Sequence, residues 1–142
     1  MAIRFIIGTK DGKSWKLESD AEALMGKSIG DKFEGKDIKV ELEGYSFEII
    51  GGSDSSGFPL SKNVEGLALK RVLLTRGFGM RDNREGVRMK KTLRGKVISA
   101  TTAQLNLKII KEGSKKLSDI FSDQNKPAEV VKPASALLAP VA

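Results

Sequence analysis

The sequence predicts a mostly β fold: a small β-barrel with one or two short helices, a basic Arg/Gly-rich loop and an extended C-terminal tail. Three observations carry this expectation. Apolar residues alternate with polar ones in short runs, the period of a half-buried strand. Fifteen glycines punctuate the 142 residues, as frequent turns between short strands require. Aromatics make up only 6% of the chain against 39% apolar residues, so the core is aliphatic. The length suits one domain. We assign it to residues 1–124 and the tail to 125–142.

Ile3, Phe5 and Ile7 alternate along the first expected strand. Gly8 to Gly12 supplies a turn, and Ser14 to Glu18 returns as a second strand. Ser19-Asp20-Ala21-Glu22 has the form of a capping box ahead of Leu24 and Met25, with Gly26 as the stop, which predicts a short helix. Val40 and Leu42 form one alternating set, and Tyr45, Phe47 and Ile49 another of opposite parity. A tight turn or bulge therefore belongs at Gly44. Leu67 to Thr75, Lys96 to Ala100, and the run of Leu105, Leu107 and Ile109 read as strands. Ser114 to Phe121 reads as a short helix. Three of the four prolines (127, 133, 140) fall in the last 16 residues, so that segment builds no core and is expected to be extended.

Charge is distributed unevenly. The net charge is +7, yet residues 1–69 carry 9 basic and 12 acidic side chains, while residues 70–96 carry 10 and 2. A patch this confined predicts a polyanionic partner, nucleic acid before an anionic membrane. There is no Cys and no His. That excludes thiol nucleophiles, disulfides, Cys/His zinc sites and Ser-His-Asp triads. The N-terminus lacks the h-region of a signal peptide, and no window holds the roughly 20 apolar residues of a membrane span. A soluble, intracellular, cofactor-free protein is expected.

Glycine patterns that resemble phosphate loops fail on context. In Ala23-Leu24-Met25-Gly26-Lys27-Ser28 the position that should hold the first glycine of a P-loop is Ala21, and the stretch reads as a helix end. Gly77-Phe78-Gly79 has no third glycine at dinucleotide spacing. The stretch from Ile49 to Leu60 leaves two readings open. It is either a turn in which Asp54 caps backbone amides, or a concavity that offers Ser53, Ser55 and Ser56 to phosphates.

The densest charge lies between Arg71 and Gly95. Arginine dominates its 71–94 portion, by six (71, 76, 81, 84, 88, 94) to two lysines (90, 91), and Asp82 and Glu85 are its only acids. Arginine's planar fork binds phosphate bidentately and stacks on bases. Glycines let the backbone approach a partner closely. No helix-turn-helix pattern is present to enter a major groove, so folded RNA is favoured over DNA. Asp82 and Glu85 are expected to shape the loop through salt bridges.

Three segments then carry a resemblance to the S6e family of ribosomal proteins, known from the archaeal and eukaryotic small subunit. "GGSDSSGFPL" is similar to its Gly-Gly-x-Asp-x-x-Gly-Phe-Pro element, "RVLLTRGFGMRDNREGVRMKKTLRG" to its Arg-rich element, and "LNLKIIKEG" to its Leu-Asn-Leu strand. They span about Gly51 to Gly113 in order. The resemblance implies a non-catalytic β-rich protein docked on small-subunit ribosomal RNA beside other ribosomal proteins. It implies Arg76, Arg81, Arg84, Arg88, Lys90, Lys91 and Arg94 as RNA-facing, to which the basic segment adds Lys70, Arg71 and Lys96. It implies Gly51, Gly52, Asp54, Gly57, Phe58 and Pro59 as a shaped loop near RNA. Eukaryotic members continue into a long basic helix with phosphorylated serines. This chain has a short Pro/Ala-rich tail instead, so an archaeal-type member without that regulation is expected. The alternative is a free-standing β-barrel RNA-binding or RNA-processing factor that visits the ribosome, which a high-salt wash would remove.

Overall fold

The computed structural model describes residues 2–125. Strands β1 (Ala2–Gly8) and β2 (Ser14–Asp20) form an antiparallel hairpin in which Ile7 faces Trp15 and Phe5 faces Leu17. The expected alternation is present: Ile3, Phe5 and Ile7 are buried, while Ala2 and Arg4 face out. Strand β3 (Lys32–Glu34) is short, and β4 (Ser46–Asp54) runs antiparallel to it. Strands β5 (Leu69–Leu74) and β6 (Met89–Arg94) pair with each other. Strand β7 (Thr102–Lys111) lies between β1 and β4, parallel to the first and antiparallel to the second. The result is a five-stranded sheet in the order β2-β1-β7-β4-β3 and a two-stranded β5–β6 sheet.

The expected barrel is not found, which corrects the fold class in its finer part. Strands β2 and β3 are the two edges of the sheet and do not pair with each other. Alternation tells that one face of a strand is buried, not whether the ladder closes on itself. Here short elements cover the inner face. Leu24, Leu42, Ile98, Leu117 and Phe121 pack with Phe5, Phe47, Ile49, Leu105 and Leu107 in one core. The β2 edge is capped by a side chain. Gln124 donates to the Lys16 carbonyl and accepts from the Lys16 amide, both at 2.6 Å, as a neighbouring strand would.

Other elements differ locally. The expected helix after Ser19 is a single 3-10 turn, Glu22–Leu24, because Ser19 and Asp20 still belong to β2. The Ser19 hydroxyl donates to the Ile38 carbonyl instead of capping a helix. Residues Val40–Leu42 make another 3-10 turn, burying Leu42 and exposing Val40. Gly44 then turns the chain at φ +87°. The segment expected as a strand from Lys96 to Ala100 makes one isolated bridge, Ser28 to Val97. The short helix after Ser114 is present as α1, Leu117–Ile120. The tail expectation falls on residues outside the described ones, except for Asn125, whose side chain donates to the Ser14 carbonyl.

Candidate nucleic-acid interface

The basic segment forms an antiparallel hairpin whose arms are β5 and β6. Residues 75–88 make the excursion between them, so Lys90, Lys91 and Arg94 lie on a strand and not in the loop. The register keeps the charges apart. Lys70 faces Leu93, Arg71 faces Thr92, Lys91 faces Val72, Lys90 faces Leu73 and Arg94 faces Leu69. No cation stands directly opposite another, an arrangement that would destabilise the ladder. Cations still meet on the diagonal: Arg71 shares its face with Lys90 and Arg94, one step along the ladder.

The ten expected RNA-facing side chains divide into two groups. Arg84, Arg94 and Lys96 are ion-paired, with Asp82, Asp54 and Glu65 respectively. Lys70, Arg71, Arg76, Arg81, Arg88 and Lys90 are exposed. With the half-buried Lys91, they form no ion pair among the described residues.

Arg84 and Asp82 shape the loop as expected. Arg84 Nε and Nη2 donate to the Asp82 carboxylate at 3.0 and 2.7 Å, and the Arg84 amide donates to it at 3.1 Å. These bonds hold the Asp82 carboxyl below its usual range and raise Arg84 above its own. Glu85 makes no ion pair among the described residues.

In the 51–60 loop Asp54 caps backbone amides, as the turn reading describes. Asp54 Oδ1 accepts from the amides of Ser56 and Phe58 at 2.7 and 3.1 Å. The Gly57 amide donates to the Asp54 carbonyl and the Ser55 amide to the Thr101 carbonyl. The amides that would line a phosphate concavity are consumed within the protein. The loop acts as a joint. Leaving β4, it folds back so that Leu60 N donates to the Gly52 carbonyl. Its descending limb then pairs with β6: Arg94 N donates to the Pro59 carbonyl and Ser61 N to the Arg94 carbonyl. Gly52 lies so close to β7 that a Cβ there would sit 2.2 Å from the Gln104 carbonyl oxygen. Gly51, Gly57, Phe58 and Pro59 complete the joint, with Gly57 at φ +90°.

Arg94 is the side chain that locks this joint. Its Nε donates to Asp54 Oδ2 at 2.6 Å and its Nη1 to the Leu67 carbonyl at 2.9 Å. The Asp54 side chain is fully buried and Arg94 is 14% exposed. Burial pushes the Asp54 carboxyl up. The Arg94 hydrogen bond and the Phe58 and Ser56 amides outweigh it, so the carboxyl ends below its ordinary value. Glu65, which holds Lys96, and Leu67, whose carbonyl Arg94 uses, are not singled out by the sequence. Contacts across 31 and 27 residues leave no periodic signal. Among the described residues no group of acids could hold a metal, and no helix is long and apolar enough to cross a membrane.

Comparison with known proteins points one way. The family model described as "Ribosomal protein S6e" matches residues 6–122. The small ribosomal subunit protein eS6 of Methanocaldococcus jannaschii is 39% identical over 119 residues, covering 83% of this chain and 89% of the relative. Its counterpart in Methanococcus maripaludis is 42% identical over 115 residues, covering 80% and 91%. That of Methanothermobacter thermautotrophicus is 40% identical over 124 residues, covering 85% and 96%.

Proposed function

The chain belongs to the ribosomal protein S6e family, and from that premise we propose that it is a structural constituent of the small ribosomal subunit whose basic hairpin binds ribosomal RNA. It acts in the cytoplasm, as part of the ribosome, beside other ribosomal proteins, and supports subunit assembly and translation. As a member of this family it is a structural component and not an enzyme.

The observation that carries the RNA reading is the hairpin's unbalanced charge. Arg71, Arg76, Arg81, Arg88, Lys70 and Lys90 are exposed without an acidic partner among the described residues. They lie on a β-ribbon, clamped at its base by Asp54 and Arg94, and on the loop that it carries. Phosphates neutralise such a ribbon, and counterion release supplies the affinity. The clamp fixes where the ribbon points, so contacts to an irregular RNA surface keep one register.

The test is the triple change Arg76→Ala, Arg81→Ala and Arg88→Ala, which leaves the clamp intact. Binding to a small-subunit ribosomal RNA transcript should weaken, and the log–log salt slope should fall by about 2–3. The isolated fold should keep its stability. Unchanged affinity at about 0.1 M salt would sink the RNA role of the hairpin. Near-stoichiometric retention of the protein in salt-washed small subunits separates a resident constituent from a visiting factor.

A further inference from the structure

The turn that follows β5 places its apolar residues in an unexpected order. Gly77-Phe78-Gly79-Met80 forms a turn closed by the Met80 amide donating to the Gly77 carbonyl at 3.2 Å. Gly77 and Gly79 both have positive φ, +129° and +75°, a conformation that glycine adopts without strain. Met80 is buried at 8% exposure, while Phe78, the larger side chain, stands 60% exposed. The turn is pinned in this orientation. A Cβ on Gly79 would lie 3.0 Å from Leu74 Cδ1 and 3.8 Å from Leu93 Cδ2, so the turn folds back onto the apolar side chains of the hairpin. With Met80 turned inward, Phe78 is presented outward.

The faces of that ring are unused. Among the described residues, no other ring stacks on Phe78 and no cation sits over it. The ring borders a groove of about 480 Å³ between β5 and the 61–64 segment, whose walls include Val72, Leu73, Lys70, Arg71 and Arg76 and no acid. That volume falls within the roughly 300–1,000 Å³ of small-molecule clefts. The groove combines an apolar wall, an aromatic lip and cations. The partner that matches all three is a nucleotide lifted out of its helix: a flat base for the ring, a phosphate for the arginines.

We propose that Phe78 is a base-stacking platform, receiving an unpaired nucleotide of single-stranded RNA over the groove beside β5, with Lys70, Arg71 and Arg76 on its phosphates. This rests on the RNA reading above and deepens it. The hairpin then recognises a bulge, loop or splayed base, and not the interior of a continuous duplex, where every base face is already covered.

The test uses the full chain with two RNA probes, a single-stranded decamer of adenosines and a fully paired duplex of two annealed strands, compared at equal phosphate concentration. Phe78→Ala should weaken binding to the single strand by roughly 5- to 150-fold. It should leave duplex binding and both salt slopes unchanged, because no phosphate contact is lost. Phe78→Trp should retain single-strand binding. Its added indole emission should be quenched by the single strand alone, since Trp15 is buried in the core. Equal binding of both probes by the parent protein and Phe78→Ala would overturn the stacking role. If the triple arginine variant still lost both probes, phosphate binding by the hairpin would stand. Binding of neither probe by the parent protein would overturn both readings. Phe78-dependent binding to vesicles containing phosphatidylserine, without a single-strand preference, would overturn the nucleotide as occupant.

Discussion

Arg94 Nε and Asp54 Oδ2 lie 2.6 Å apart, although they belong to different sheets. Asp54 ends β4 of the five-stranded sheet and Arg94 ends β6 of the two-stranded one. The pair joins the body of the protein to its basic hairpin and engages one arginine of the basic segment within the protein.

Removing either partner leaves a buried charge without its counterion, which costs about 3–5 kcal/mol. Arg94 is slightly exposed, so the lower end applies. Asp54→Ala and Arg94→Ala should each lower unfolding stability by about 3 kcal/mol, and the double variant by far less than their sum. Trp15, buried and stacked at 6.1 Å on Phe121, is the fluorescent reporter. Additive losses in the double-mutant cycle would refute the clamp.

The same carboxylate sets a pH dependence. In the folded chain Asp54 lies below its ordinary value of 3.8. An unfolded carboxyl therefore takes up its proton at higher pH than the folded one. The stabilisation is fully present above the ordinary carboxylate value and is lost as pH falls through the depressed folded value. The stability gap between the parent protein and Asp54→Asn should thus shrink in urea titrations carried from pH 7 into that acid range. A gap independent of pH would contradict this.

Gly95 sits where the hairpin meets the 61–68 segment. A Cβ there would lie 1.8 Å from the Gly66 carbonyl oxygen, and backbone cannot yield as a side chain can. Gly95→Ala should cost about 3 kcal/mol, the upper end of overpacking. Gly51→Ala has open space around it and should stay within ~0.5 kcal/mol. Thermal melts of the two variants compare them directly. Similar midpoints would mean that the close approach is not structural.

Asp82 offers a contrast with Asp54. Its partner Arg84 is 80% exposed, and solvent screens such a pair so that it adds little to stability. Asp82→Asn should leave the melting midpoint unchanged while freeing Arg84, so affinity for small-subunit ribosomal RNA should rise. A melting shift comparable to that of Asp54→Ala would show that the loop supports the fold.

By itself, the sequence determined the parts governed by local rules. Period-two alternation marked β1, β4 and β7, because burial of one strand face is written residue by residue. The glycines fixed the turns at Gly26, Gly44 and Gly57, each at positive φ. The basic segment could be read as an interface because charge composition survives any folding. Only the tertiary structure decided what depends on distant partners. It left the sheet open where a barrel was expected, since ladder closure requires two edges to meet and β2 and β3 do not. It moved Lys90, Lys91 and Arg94 from loop to strand and sorted ten like cations into those held by acids and those free to bind. Two of the three pairs behind that division, Asp54–Arg94 and Glu65–Lys96, span 40 and 31 residues, distances over which no sequence period runs.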